Sequence, residues 1–481
     1  MSCLRKRPGS AGSAVLVVLC VALVALGAGW AGADTPAPAA AAPAATTAAP
    51  VLPPGVVTPP APPVFPQVLT LTPAQAADLA AQRALEIQQA REGVEIAEAA
   101  VTQARVGQRL TGSATLLEGR DGPVSHVTLN GTSITLGSNI IRTGTLTLTQ
   151  PLYTGGRVEA QIRAAQAGVS AAGAQTVTTI RGIRRAAEEG IYGILRAQEL
   201  AEVARRQVEA NREHLRIAQA MFDAGTVPQF EVVRAQTQVA SADGNLVAAV
   251  TGVDQAKAGL RRVMGLPQTQ ELGATPPAQA AMRPAGELAD LIATGQAARP
   301  EIGIFEAQVR AAEASLRLAR ATDNLSAGVQ GQYLHNGSAA GLASSESTWQ
   351  VVLSLSKPLF DGGLRGALTR GASAGLRRAQ DALDLERQQI ALDVTQQYLA
   401  ANQALKQLQV ATQGVVQARE AARIAGVRFG AGVGTGLEVL DAQTAQAAAE
   451  ATQVNAGYDL QLALVRLRDA MGQPLEGGPT S

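Results

Sequence analysis

Lys357-Pro-Leu-Phe-Asp-Gly-Gly363 opens a block that runs to Phe429-Gly-Ala-Gly432 and on to Met471-Gly-Gln-Pro474. An earlier block has the same parts in the same order: Gln150-Pro-Leu-Tyr-Thr-Gly-Gly156, Phe222-Asp-Ala-Gly225 and Met264-Gly-Leu-Pro267. Pro151 and Pro358 stand 207 residues apart, as do Phe222 and Phe429, Gly225 and Gly432, Gln236 and Gln443, and Pro267 and Pro474. Five anchors at one offset mark a tandem duplication, so the fold follows from what one copy looks like.

Each copy holds a proline-free run of 67 residues, 156–222 and 363–429. As a helix rising about 1.5 Å per residue, such a run is roughly 100 Å long, where a globular helix averages about 11–12 residues. Helices of that length hold by packing along their sides, as in a coiled coil or helical barrel. Leu376, Leu383 and Ile390 recur every seven residues, as do Leu385, Leu392 and Leu399, and then Leu408, Val415 and Ala422. Two offset seams ask for neighbours on more than one side. An amphipathic helix on a globular core needs only one stripe and a shorter run.

The 481 residues are 46% hydrophobic but only 3% aromatic, which suits closely packed helices better than a large aromatic core. A net charge of +1 leaves no electrostatic footprint for nucleic acid. Residues 1–33 read as a secretory signal: Arg5, Lys6 and Arg7, an apolar run from Ala14 to Ala28, and the cleavage site Ala31-Gly-Ala33. A membrane anchor is the alternative, but the apolar run falls short of the ~20 residues a span needs. Both cysteines, Cys3 and Cys20, lie in that signal, and Leu19 stands before Cys20 where lipidation requires a small residue. The exported chain is expected to be cysteine-free and held by packing alone. Residues 34–66, rich in proline and alanine, read as an extended disordered tether.

Folded structure is expected from Thr72-Pro73, a cap followed by proline at the first helical position, with one helix running to about Arg109. Thr111–Glu118 and Thr143–Thr149 then form a hairpin over 111–150, where Thr145, Thr147 and Thr149 alternate with Leu146 and Leu148. In copy two, Glu301-Ile302 and Ala312-Glu-Ala314 match Glu86-Ile87 and Ala97-Glu-Ala99 at an offset of 215, and the second hairpin covers 326–357. There Trp349, Val351, Leu353 and Leu355 share a face. The change of offset places an eight-residue difference around the hairpins, longer in copy one. The first repeat is therefore 67–267, with a long helix over 156–222 and a return helix over 228–264. An irregular connection follows over 268–286. The second repeat is 287–474, with helices over 363–429 and 436–471, and 475–481 is a tail.

Two hairpins give four strands, too few to close a barrel, and an open apolar edge is a liability. A chain of this kind enters a membrane only as a barrel shared between copies; eight, twelve and sixteen strands all remain open at this point. Gly430-Ala-Gly-Val-Gly-Thr-Gly436 looks like a phosphate loop, but no strand precedes it and no Lys-Ser/Thr follows. His126, His214 and His335 lack metal-ligand spacing, and no nucleophile motif stands out. No catalytic residue, metal or cofactor is expected.

The order of parts, with Pro-Leu-[Tyr/Phe]-x-Gly-Gly and Phe-x-Ala-Gly in duplicate, resembles the outer membrane efflux protein (TolC-like) family over Leu71 to Pro474. The resemblance implies a mainly α protein with a membrane β-barrel: a homotrimer whose twelve strands form one barrel in outer membrane lipid, continued by a periplasmic helical tunnel. It implies a passive channel-tunnel of a tripartite efflux or type I secretion system, exporting small molecules or proteins. The partners implied are a periplasmic adaptor protein and an inner membrane pump of RND, ABC or MFS type. An acidic constriction after the second tip turn maps onto Glu438 and Asp441, three residues apart on one helix face. Acids in the first turn of a helix also favour its dipole, which is the plainer explanation for them. Copy one carries Glu231 and Arg234 there.

Adaptor docking maps onto the tip turns, Phe222, Gly225 and Thr226 in copy one and Phe429, Gly432 and Val433 in copy two. Pro151, Tyr153, Gly155 and Gly156, with Pro358, Phe360, Gly362 and Gly363, mark the strand-to-helix passage. Proline is expected to end strand pairing there and the aromatic ring to sit at the membrane interface, with core packing as the alternative. The chain departs from the family where members can carry a gate tyrosine and arginine: Phe429 and Gly434 occupy those positions. A periplasmic adaptor or a structural coiled-coil spacer are the rival readings. An adaptor has one helical hairpin within a β-domain, and a spacer has no use for two amphipathic strand hairpins.

Overall fold

A computed structural model describes residues 68–120, 122–123, 125–136, 140–277, 286–337 and 346–473. The expected signal peptide 1–33, the tether 34–66 and the tail 475–481 lie outside the described residues. Copy one comprises β1 (Leu69–Leu71), α1 (Pro73–Arg83), α2 (Leu85–Val106), β2 (Thr111–Arg120), β3 (Ser125–Leu129), β4 (Thr132–Leu136), β5 (Ile140–Tyr153), α3 (Arg157–Asp223) and α4 (Gln229–Val263). β6 (Leu272–Ala274) follows in the connection, and copy two comprises α5 (Leu288–Ala298), α6 (Glu301–Arg320), β7 (Ser326–Asn336), β8 (Glu346–Ser356), α7 (Leu364–Gly430) and α8 (Gly436–Ala470). The two long helices are each 67 residues and the two return helices each 35.

The single first helix expected over 73–109 is instead two. Ala84 takes an extended backbone, φ −60° and ψ 128°, and separates α1 from α2, which ends at Val106. Nothing in the local sequence breaks the helix there. The turn at Arg83-Ala84 packs against Gly265, whose Cα hydrogen side lies so close that a Cβ would stand 3.1 Å from the Arg83 carbonyl oxygen. Copy two breaks at the matching place between α5 and α6, where Arg299-Pro300 supplies an overt breaker. The start of α1 is a capping box, with the Thr72 hydroxyl accepting from the Gln75 N–H and the Gln75 side chain accepting from the Thr72 N–H.

The connection over 268–286 is also not wholly irregular. It contains β6, which pairs in parallel with β1 through Leu69↔Leu272 and Leu71↔Ala274. Leu71 and Leu272 are thereby buried with Ile191, Ile194, Leu260, Met264 and Val465 in a core that joins both copies. A second core gathers Leu291, Ile390, Val394, Leu460, Leu464 and Leu467. The reward for burial, about 25 cal/mol per Å² of apolar surface, outweighs the local preference for loop in the connection.

The hairpins merge into one antiparallel sheet of order β2-β5-β7-β8. Strand alternation and the pairings Leu116↔Gly144, Leu146↔Tyr333 and Tyr333↔Trp349 put Leu116, Leu146, Leu148, Trp349, Val351 and Leu353 on one face. Thr145, Thr147, Thr149, Gln330, Gln332 and Gln350 take the other. Copy one's extra length forms a separate hairpin, β3-β4, at its tip. Pairing does not stop at Pro151 as expected. Pro151 still faces Gly328, and a β-bulge lets Tyr153 face Ala327, so the missing proline N–H is accommodated by an irregularity rather than by strand termination.

Candidate functional site

At the strand-to-helix passage, both long helices start from paired left-handed glycines. Gly155 and Gly156 have φ 65° and 86°, Gly362 and Gly363 have φ 62° and 90°. Gly155 is also sterically required, since a Cβ would come within 2.6 Å of the Asn324 Cβ, while Asn324 Nδ2 donates to the Gly155 carbonyl at 2.7 Å. In copy two, the Asp361 carboxylate accepts from the N–H groups of Gly363 (2.9 Å) and Arg365 (2.8 Å), and these bonds, Arg365 first, hold its carboxyl below the usual range. Tyr153 is exposed, and Phe360, two residues after Pro358, is 97% exposed. Core packing of these rings is thus absent within the chain.

At the opposite end, each long helix stops in a turn closed by a left-handed glycine, Gly225 and Gly432, both with φ 73°. In copy one, Gly225 N–H donates to the Phe222 carbonyl at 2.8 Å, and the Thr226 N–H and hydroxyl both donate to Met221 O. In copy two, Gly432 N–H donates to Phe429 O, and Val433 and Gly434 N–H both donate to Arg428 O. Phe222, Gly225, Thr226, Gly432 and Val433 are exposed. Phe429 is not. It is 6% exposed and packs with Ala425, Val439, Ile217 and Met221. Its ring turns into the helix packing and faces His214 of α3, centroids 5.4 Å apart and planes at 47°.

α8 starts at Thr435, whose hydroxyl accepts from the Glu438 N–H at 3.3 Å. Val439 and Leu440 turn inward, while Glu438 and Asp441 are exposed on the other side. Gly436 is covered by copy one; a Cβ there would lie 2.8 Å from Glu231 Oε2. At Gly434 a Cβ would meet Phe429 N at 3.0 Å and Arg428 Cβ at 3.1 Å, so the turn has no ready room for a side chain.

A charged node higher on the same helices is not visible in the sequence. Glu450 of α8, 6% exposed, accepts from Arg419 Nε of α7 at 3.0 Å, Arg206 Nη2 of α3 at 3.2 Å and Gln446 at 3.1 Å. Burial pushes its carboxyl up, but the bonds from Gln446, Arg419 and Arg206 together hold it below the usual range. The only local hint is a lone acid in the alanine run Ala447–Ala451. Arg299 makes a second node, donating to Glu301 and Asp393. His214 is held below the ordinary imidazole range, by burial first, with Glu231 pulling the other way and Arg234 adding to the fall. Among the described residues no group of three or more His, Cys, Asp or Glu could hold a metal, and no helix is long and apolar enough to cross a membrane.

A family profile described as outer membrane efflux protein matches residues 76–266 and 291–473, one stretch in each copy. The chain belongs to the outer membrane efflux protein family. Protein CyaE of Bordetella pertussis is 26% identical over 344 residues, covering 70% of this chain and 72% of that one. Among solved structures, the Campylobacter jejuni CmeC outer membrane channel superimposes with a TM-score of 0.69 at 16% identity, covering 83% of this chain and 85% of its own. The open state of the Neisseria gonorrhoeae MtrE outer membrane channel gives 0.68 at 21% identity, covering 85% and 91%. The fold is therefore that of TolC-like channels, and membership places the chain among outer membrane transport proteins.

Proposed function

We propose that three copies of this chain form a passive channel-tunnel across the outer membrane and periplasm, the exit duct of a tripartite efflux or type I secretion system. The observation that carries the reading is the two-faced sheet. One face carries leucine, valine and tryptophan; the other is mainly threonine and glutamine, with Leu117, Leu334 and Val352 among them, and Gln350 donates to Gln332 across it at 2.7 Å. Among the described residues β2 and β8 each have one unpaired edge. Joining β8 of one copy to β2 of the next removes every edge, and three copies of four strands make twelve. From Trp349 to Leu355 the apolar face extends about 20 Å along the strand, at roughly 3.4 Å per residue, close to the ~25 Å band of an outer membrane barrel. Tyr333 and Trp349 at one end and Tyr153 and Phe360 at the other suit the two lipid interfaces.

The exposed Leu385, Leu392 and Leu399 of α7 support burial against a neighbouring copy in the tunnel. Glu438 and Asp441 of three copies would ring the periplasmic opening with carboxylates and favour cations. The exposed tip residues Phe222, Gly225, Thr226, Gly432 and Val433 are assigned to a periplasmic adaptor, with an inner membrane pump of RND, ABC or MFS type supplying energy. The test is single-channel recording of purified protein in planar lipid bilayers. Long-lived pores are expected; folded, inserted trimer that passes no current would overturn the duct.

A further inference from the structure

Among the described residues, no salt bridge is seen between the two copies at the tip. An aromatic contact takes its place: His214, 7% exposed on α3, against Phe429, 6% exposed on α7. We propose that His214 and Phe429 are a positioning pair that holds the α7–α8 hairpin against α3, and that protonation of His214 releases the tip and widens the opening. The proposal rests on the aperture reading above, and deepens it by naming what sets the position of Glu438 and Asp441.

Phe429 lies one turn-closing hydrogen bond from Gly432 and packs on Val439, which is next to Glu438. Moving the ring therefore moves the start of α8. The charged groups around His214 cannot supply a fixed compensating charge. On α4, Glu231 favours the charged ring and Arg234 opposes it more weakly, and burial outweighs Glu231. On its own helix, Glu213 and Arg216 are exposed and bound to each other at 2.6 Å. α7 presents the uncharged Phe429, with Arg428 exposed beside it, and α8 presents Val439, with Glu438 and Asp441 exposed. The neutral ring fits this apolar setting. The imidazolium must be desolvated, and the attraction of a cation for the Phe429 face returns only part of that.

The sign follows. Burial depresses the folded value below the unfolded one, about 6.5, so the contact is complete above that pH and is lost as pH falls through the folded value. The Glu450 node does not loosen in the same window, because its carboxyl is held below the usual carboxylate range. It sits about 18 Å along α8 from Glu438, at 1.5 Å per residue. The release is thus confined to the tip.

Single-channel recordings from about pH 7.5 to about pH 5 reach past the ordinary imidazole value of about 6.5 in the direction burial moves His214, while ordinary carboxylates stay charged. Wild type is expected to gain conductance or open time as pH falls, His214→Gln to lose that dependence, and Phe429→Leu to stay more open at both ends. A flat wild-type profile, or a His214→Gln profile like the wild type, overturns the proposal. A second readout needs no pore. With Cys3 and Cys20 the only native cysteines, spin labels at Phe222→Cys and Val433→Cys report the spacing of the two tips. Acid widening in the His214 protein that vanishes in His214→Gln supports the pair even if no current flows, which would count against the duct alone; a spacing that ignores pH overturns the pair.

Discussion

Phe222 and Phe429 occupy the same place in the two copies, 207 residues apart, yet Phe222 is 38% exposed and Phe429 is buried at 6%. The backbones match: both helices are 67 residues, and both turns close on a glycine at φ 73°. The side chains around them have diverged. Copy one starts its return helix at Pro228 with no side-chain cap and carries Glu231 and Arg234. Copy two starts at Thr435, which caps Glu438, and carries two exposed acids. A duplication preserves what geometry demands and frees the remaining positions for separate tasks. The same holds midway along the long helices. Leu385, Leu392 and Leu399 are exposed on α7, whereas the matching Arg185 of α3 binds Asp469 at 2.7 Å and Tyr192 is buried. Copy one engages this face within the chain through Asp469 and the buried Tyr192; copy two leaves it exposed.

The largest effect should come from that face. Leu392→Asp with Leu399→Asp places charge on the seam and is expected to abolish trimers while leaving helix content intact, as read by native mass spectrometry and circular dichroism. Trimers that survive would mean the seam is not an interface. Next is the tip pair: Phe429→Ala should destabilise by about 3–5 kcal/mol, as for other buried aromatics, and Phe222→Ala by less than about 1 kcal/mol. Equal losses in denaturant melts would erase the distinction between the copies.

Arg299 offers a further contrast, because copy one has Ala84 at the matching place. Arg299→Ala leaves Glu301 and Asp393 half-buried without their cation and is expected to cost about 3 kcal/mol. Burial is the largest single influence on the Glu301 carboxyl and pushes it up, but the Arg299 bond, a backbone hydrogen bond and the charges of Arg299 and Arg181 together hold it low. Its contribution is therefore present above the unfolded carboxylate pKa and is lost as pH falls, so the variant's deficit should shrink in acid. A deficit that is constant with pH would contradict the pairing. A smaller effect than that of Arg299→Ala is expected from Glu450→Gln, about 1–2 kcal/mol, since Arg206 and Arg419 are more than half exposed and can turn to solvent. Thermal melts of variant and wild type measure it.

The fold class was legible because its signals are local and repeated: the matched Pro-Leu-aromatic-x-Gly-Gly blocks, the proline-free runs, and the alternation around Thr145 and Trp349. What was hidden depends on contacts between distant residues. Ala84 breaks a helix only because Gly265 packs on it, and β6 is a strand only because β1 lies beside it. Pro151 looked like a terminator, and the bulge beside Gly328 lets pairing continue. Phe222 and Phe429 share a motif, so their different burial could not be read from it. The Glu450 node joins residues 244 and 31 positions apart and has almost no sequence signature.

Copy two, and not copy one, is expected to set the charge of the periplasmic opening. Reversal potentials across a salt gradient test it directly, comparing wild type, Glu438→Ala/Asp441→Ala and Glu231→Gln in planar bilayers. A cation-selective wild type, a double variant that loses the preference and a Glu231→Gln channel that keeps it would agree with the account. A double variant as selective as wild type, or a loss of selectivity from Glu231→Gln alone, would contradict it.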